Sequence, residues 1–423
     1  MKRQMLIGAV VLGALMLAGV FSEAASKEEI KPIILGVPQT NTFEIGVSTI
    51  RHTQFAVDEI NASGGVNVGG KKHPFKIKQM DPRDIEPGSS VSEALLVVEK
   101  LILEGEANFI VSGPSRTEAT LAAMDILSKH KVISLNSISM SPTLGAKVAR
   151  DYEKYKYFFT MTAWSDWLVE DELGPCIQDI GKKFGINKLF IIVQDVAHAR
   201  AGGEIVERVM KGKGWEVVGR ETYPTGSPDF SSGLLKARAA GRSILFLWGE
   251  MPEFTILMKQ WKDMKVPALP IGMVVYFSDP GLWKATEGKC EYIISEVAAA
   301  GNVPSKATPW TMKYVEAYKK RWGKEPEYHG AAESYMTPYV LKEAIERAGT
   351  LDPDSIIKAL EQTNLVGVFG RIRFNAKTHR LIYSLNPDEG AVGTVFQWQE
   401  GKRVAIFPPA IATGEVKLPP WMR

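Results

Sequence analysis

Residues 109–142, FIVSGPSRTEATLAAMDILSKHKVISLNSISMSP, alternate apolar runs and breaks in an order that decides the fold. Phe109, Ile110 and Val111 form a short apolar strand, and Gly113-Pro114 breaks it. Thr117 stands where a helix N-cap belongs, ahead of the helix-forming residues 118–127. A second apolar strand, residues 131–135, runs into a loop of small hydroxyls: Ser134, Ser137, Ser139 and Ser141. Strand, helix and strand in this order are the unit of a parallel sheet. Ligands of open parallel sheets bind outside the carboxyl ends of the strands, and both loops leave such ends. The first loop also offers the free N–H groups of a helix start, which suit an anion. Two readings of the hydroxyls stand at this level. They touch a ligand, or they cap a helix and solvate a turn.

The same rhythm extends in both directions. Upstream lie a strand at residues 32–37, a helix at 44–61, a Gly-rich tight loop at 66–71 and a strand at 75–80. Residues 89–103 form an amphipathic helix with Val91, Ala94, Leu95, Val98, Leu101 and Ile102 on one face. Downstream, a strand at 157–161 and a helix at 166–183 precede a second series. Its strands fall at 189–193, 215–223, 244–248 and 269–275, and its helices at 201–211, 229–239 and 253–264. Residues 293–297 are apolar again, helices follow at 309–322, 331–348 and 353–360, and strand-like pieces close the chain at 370–374, 394–398 and 403–407. The pattern predicts an α/β protein of two lobes, each a doubly wound parallel sheet. No flexible linker separates them.

Composition narrows the function. A chain of 423 residues is too long for one domain of ~150 residues and suits two or three. Its 51 basic and 48 acidic residues are interspersed, and the net charge is +3. No basic stripe with interleaved aromatics appears, so nucleic acid is not an expected partner. Lys2 and Arg3 precede an apolar run, residues 5–21, and Ser22-Glu23-Ala24 ends it with a small-x-small cleavage site. Residues 1–24 therefore read as a secretory signal peptide. No Cys follows that run, so no lipid attachment is expected, and no other run suits a membrane span. The mature protein is expected to be soluble and exported. Cys176 and Cys290 either pair after export or stay as two buried thiols. Without clustered His they make no zinc site. G-x-S-x-G, G-x-x-x-x-G-K-[ST] and H-E-x-x-H are all absent, and the four glycines of GGVNVGG, residues 64–70, join a helix to a strand in the wrong order for a dinucleotide site. No enzyme activity, cofactor or metal is expected.

Several short motifs carry a family resemblance. AVDEINASGG, residues 56–65, resembles the A-x-D-x-I-N-x-x-G-G signature of type I periplasmic binding proteins of branched-chain amino-acid ABC importers. Gly113-Pro114-x-x-Thr117 resembles their G-P-x-x-S ligand loop, Asp229-Phe230-Ser231 their D-F-S helix start, and Phe396-Gln397-Trp398 their closing strand. The similarity covers nearly all of the mature chain. It implies two lobes joined by three crossover strands near residues 158–162, 294–298 and 382–392, with the ligand in the cleft between them. Lobe 1 would then be residues 30–160 plus 298–383, and lobe 2 residues 161–297 plus 384–423. It further implies a small-molecule ligand, a membrane permease as partner and a monomeric receptor that closes like a hinge. A ligand-sensing regulator built on the same fold is the alternative.

For the site, the resemblance implies that Thr117, with Ser115 beside it, holds the ligand carboxylate, and that the loop of Ser137, Ser139 and Met140 adds contacts. Elsewhere the chain departs from the family. A Tyr that closes over the ligand is replaced near His198-Ala199. The second-lobe carboxylate that meets a ligand ammonium is replaced by Val274, amid Met273, Val275, Tyr276 and Phe277. Glu250 or Met251 stands where an aromatic often follows its strand, so Glu250 is a relocated ammonium partner, a solvated loop acid or a docking-surface charge. Tyr328 and His329 lie near a further contact position, with packing as the other reading. An aliphatic amino acid and an amine-free organic or aromatic acid are both compatible with this set.

Overall fold

Five strands build the first sheet in the order Phe75–Met80, Ile33–Pro38, Phe109–Val111, Ile133–Asn136, Phe158–Thr160, all parallel. The computed structural model describes residues 30–423 apart from 87 and 251, so the expected signal peptide lies outside the described residues. Successive strand residues point to opposite faces. Ile33, Leu35 and Val37 pack with helices Glu44–Ala62 and Ala331–Ala348 on one face. Ile34 and Ile110 pack with Met124, Leu127 and Val148 on the other. Both faces are covered, which is why the strands are continuously apolar.

The second sheet has seven strands, in the order Lys402–Phe407, Thr394–Gln399, Ile294–Val297, Ala268–Val274, Ser243–Gly249, Lys188–Gln194, Glu216–Tyr223. It too is buried on both sides: Ile191 and Val193 face one core, Phe190 and Ile192 the other. The five strands from Ile294–Val297 to Glu216–Tyr223 are parallel, but Thr394–Gln399 pairs antiparallel with both of its neighbours. This lobe is therefore a mixed sheet rather than the all-parallel one expected. The two final strands are joined by Glu400-Gly401, both at positive φ, a turn that lets them pair as a hairpin.

The chain passes between the sheets three times, and the passages lie side by side. Thr160 N donates to His379 O at 2.9 Å, and Ala300 N to Val392 O at 2.9 Å. Other boundaries shift in instructive ways. The Gly-rich loop is a hairpin of Val66–Val68 and Lys71–His73 turning on Gly69-Gly70. The helix expected at 166–183 runs as Ser165–Trp167, a π-turn Leu168–Leu173 and Gly174–Phe184. The helix expected at 201–211 begins earlier, as Ala197–Gly212, so His198 sits in its first turn instead of in a loop. Cys176 and Cys290 are free and buried, and burial pushes both thiols up.

Candidate functional site

In each sheet the strand order reverses once, and the crevice at that reversal is where open α/β sheets hold ligands. In the first sheet it lies between the ends of Ile33–Pro38 and Phe109–Val111. Gln39 follows one strand and Ser112 the other. The Gln39 amide donates to Ser112 O, and Ser115 Oγ donates to Gln39 Oε1 at 3.1 Å. Gly113 is required here because a Cβ would run into the Pro38 carbonyl.

Helix Thr117–His130 starts one residue earlier than the sequence implies. Arg116, not Thr117, is the N-cap, and no side chain caps the helix. The reason lies in the loop before it. The buried Asp84 carboxylate accepts from Ser115 N at 2.7 Å and Arg116 N at 2.8 Å, and this fixes the entry of the chain. Thr117, as the first helical residue, has its hydroxyl turned instead to Ser139 Oγ, 3.4 Å away. Asn136 ties the second loop to the first: its Nδ2 donates to Pro114 O at 2.9 Å, and its Oδ1 accepts from Ile138 N and Ser139 N at 3.1 and 2.8 Å. Burial raises the Asp84 pKa against the pull of these N–H donors.

The structure thus brings Thr117, Ser115 and Ser139 together. It turns Ser137 away: its hydroxyl meets Ser334 Oγ at 2.6 Å, on helix Ala331–Ala348. Met140 packs on the first-lobe core, and its carbonyl accepts from Ser165 N at 3.0 Å.

The second sheet reverses between Lys188–Gln194 and Ser243–Gly249. His198 and Glu250 follow those two strands, and Gln194 Oε1 accepts from Glu250 N at 2.8 Å. Glu250 Oε2 lies 3.8 Å from His198 Nε2, and its Oε1 lies 3.8 Å from an Arg116 Nη2 that reaches across from the first lobe. Desolvation lowers the His198 pKa and Arg116 adds to it, while Glu250 opposes both. At this spacing Glu250 keeps acceptor capacity to spare.

Val274 does not line an open wall. It is 1% exposed and packs with Phe254, Phe277 and Leu282 in the core on one face of its sheet. Tyr328 is buried, and its hydroxyl donates to Asp279 Oδ2 at 2.7 Å, with Tyr276 edge-on at 5.7 Å between ring centroids. Tyr328 precedes helix Ala331–Ala348 of the first lobe, whereas Asp279 and Tyr276 follow strand Ala268–Val274 of the second. This is a second tie between the lobes. Gln39, Asp84, Arg116 and Asp279 were missed at the level of sequence. Arg116 lies inside the GPSRT motif and had a signal; the other three are ordinary polar residues whose roles arise from distant partners.

A periplasmic binding protein family model matches residues 40–399. The chain belongs to the periplasmic binding protein family. Relatives and solved structures named for branched-chain amino acids resemble it. The Leu/Ile/Val-binding protein homolog 8 of Brucella melitensis is 22% identical over 384 residues, 88% of this chain and 89% of the relative. A Silicibacter pomeroyi structure described as a branched-chain amino acid ABC transporter superposes with a TM-score of 0.80 at 20% identity, over 92% of this chain and 100% of that one. The branched-chain amino acid transporter substrate binding protein of Streptococcus pneumoniae, in complex with isoleucine, gives a TM-score of 0.69 at 20% identity, over 89% of this chain and 100% of that one. These likenesses are of fold, two lobes included. The Brucella melitensis and Streptococcus pneumoniae relatives are named as binding proteins. Among the described residues no helix is long and apolar enough to cross a membrane.

Proposed function

We propose that this protein is an extracytoplasmic solute receptor that closes its two lobes on a small carboxylate-bearing ligand and presents it to the permease of an ABC importer. The lobes are residues 30–160 plus 298–383 and 161–297 plus 384–423, and the receptor acts as a monomer. Signal-peptide cleavage after Ala24 delivers it to the periplasm, so N-terminal sequencing of the exported protein should begin at or within a few residues of Ala25. One observation carries the ligand reading. The Thr117 hydroxyl caps no helix and faces Ser139 at the first-lobe crevice, beside a helix start whose N–H groups and dipole favour an anion.

At the level of ligand class, an aliphatic amino acid is the family reading, and Glu250 is its ammonium partner. The isoleucine complex of the Streptococcus pneumoniae relative supports that class. The second reading, an amine-free organic or aromatic acid, rests on the sequence alone, which has Val274 where the resemblance implies a carboxylate. A buried ammonium without a carboxylate loses its hydration uncompensated. A thermal-shift panel separates the two: aliphatic amino acids, their 2-oxo and plain acid counterparts, and benzoate-like acids. Tight leucine or valine binding that Glu250→Gln abolishes selects the amino acid. Binding of amine-free acids alone, with Glu250→Gln silent, selects the acid. A panel in which no carboxylate binds overturns the reading.

A further inference from the structure

Three carboxyl groups converge where the chain crosses between the lobes. Glu172 comes from the π-turn Leu168–Leu173, Glu296 from the strand Ile294–Val297, and Glu333 from helix Ala331–Ala348. All three are fully buried. Among the described residues neither oxygen of Glu172 or Glu296 has a hydrogen-bond partner, nor does Oε1 of Glu333. Glu333 Oε2 accepts from Asn302 Nδ2 at 3.0 Å, and Thr162 lies near without reaching hydrogen-bond geometry. Gly393 leaves the room this requires, since a Cβ there would lie 2.5 Å from Glu172 Oε1.

The groups facing the cluster from neighbouring elements are all uncharged or engaged elsewhere. His329 Nε2 is unpartnered and 3.7 Å from Glu296 Oε1, and burial lowers its pKa to about 4. The contact is therefore one between two neutral groups. The Tyr383 hydroxyl, also unpartnered, feels all three carboxyls, Tyr314 faces Glu333, and Cys176 faces Glu172. The buried cation nearby in the fold, Arg403, is committed to Ser278 O, Asn302 O and Glu325. No set of three or more His, Cys, Asp or Glu among the described residues is spaced to hold a metal. A carboxylate buried without a cation is too costly to persist, and the group keeps its proton instead. Burial holds Glu333 up at about 7 and the other two well above the carboxylate range.

We infer that this hinge cluster is a proton-binding site: lobe closure takes up protons here, so the closed state gains on the open one as pH falls. Opening swings the helix that carries Glu333 away from Glu172 and Glu296 and admits water, where a carboxyl ionises in its ordinary range. Each carboxyl then disfavours closure once pH rises above about 4.5, and for Glu333 this penalty stops growing near 7. Across such a window the closed-to-open ratio falls about tenfold per pH unit for each full proton taken up. The inference rests on the hinged-receptor reading but on no ligand.

Its test is therefore done on the ligand-free full chain. Infrared spectra near about pH 6, where the compact state is expected, should contain protonated carboxyl bands that Glu172→Gln, Glu296→Gln and Glu333→Gln each reduce. Solution scattering should show a more compact particle near about pH 6 than near about pH 8.5, and the Gln variants should lose that difference. Absent bands, wild-type scattering that ignores pH, or a pH response that survives all three substitutions would each overturn the inference. The wild-type measurements decide even if a variant fails to fold. Failure of the carboxylate panel would leave these outcomes untouched, so the two readings fail separately.

Discussion

The crevice of the first lobe is built from small polar groups that bond to one another, whereas at that of the second Glu250 barely touches His198 and an Arg116 reaching over from the first lobe. Ser112, Asn136, Ser137 and Ser139 are buried, and their loops are pinned by hydrogen bonds to Gln39, Asp84 and Asn136. Glu250, His198 and Arg116 are 30%, 40% and 44% exposed and approach at 3.8 Å. A seat of the first kind is pre-organised: its donors are aimed before any ligand arrives, so little ordering is lost on binding. A cluster of the second kind adapts its geometry, is screened by salt and contributes little in itself. The difference suggests a division of labour in which the first lobe orients the ligand and the second closes over it.

The largest effect should come from the pin beneath the rigid seat. Asp84→Ala removes the acceptor of two part-buried N–H donors, at ~1–3 kcal/mol for each left unsatisfied, so urea unfolding should show a loss of about 3 kcal/mol. Asp84→Asn keeps an acceptor and should recover most of it; equal losses in the two variants would mean that Asp84 matters by shape alone. Next comes the seat itself. Thr117→Ala should weaken ligand affinity by ~1.5–3 kcal/mol, read by calorimetric titration. Because Thr117 caps nothing, its unfolding free energy should move by less than the ~1 kcal/mol typical of a lost cap. Reduced stability with unchanged affinity would reverse that assignment.

The ties between the lobes should rank below both. Tyr328→Phe removes a bond to the half-buried Asp279, for which water can substitute in part, and should reduce ligand-induced compaction with a cost near ~1 kcal/mol. In the ligand-free protein, Glu250→Gln at the exposed tie should cost only ~0–1 kcal/mol of closure, and less as salt is raised. If Glu250→Gln proves the more damaging of the two, the flexible crevice holds the ligand's charge and the division of labour fails. The pH profile sharpens the comparison further. His329, neutral down to about 4 in the fold, makes stability fall as pH drops from the ordinary imidazole value of 6.5 towards that point, opposite in sign to the hinge carboxyls.

Much of this was legible in the chain itself. The order of apolar runs and Gly-Pro breaks determined two doubly wound lobes, because strands buried on both faces must be continuously apolar and their crossover helices must be amphipathic. The hydroxyl-rich loops after Phe109–Val111 and Ile133–Asn136 were visible for the same reason: a strand end and a helix start are local facts. What each hydroxyl does was not. Thr117 reads as a cap until Asp84, some thirty positions earlier, takes over the loop entry. Ser137 reads like Ser139 until Ser334, from the far end of the chain, claims it. Nothing in the neighbourhoods of Glu172, Glu296 and Glu333 announces that they meet without a cation. Periodicity records which way a residue faces within its own element; which distant group it then faces, and whether water still reaches it, is decided only when the three crossings bring the two lobes together.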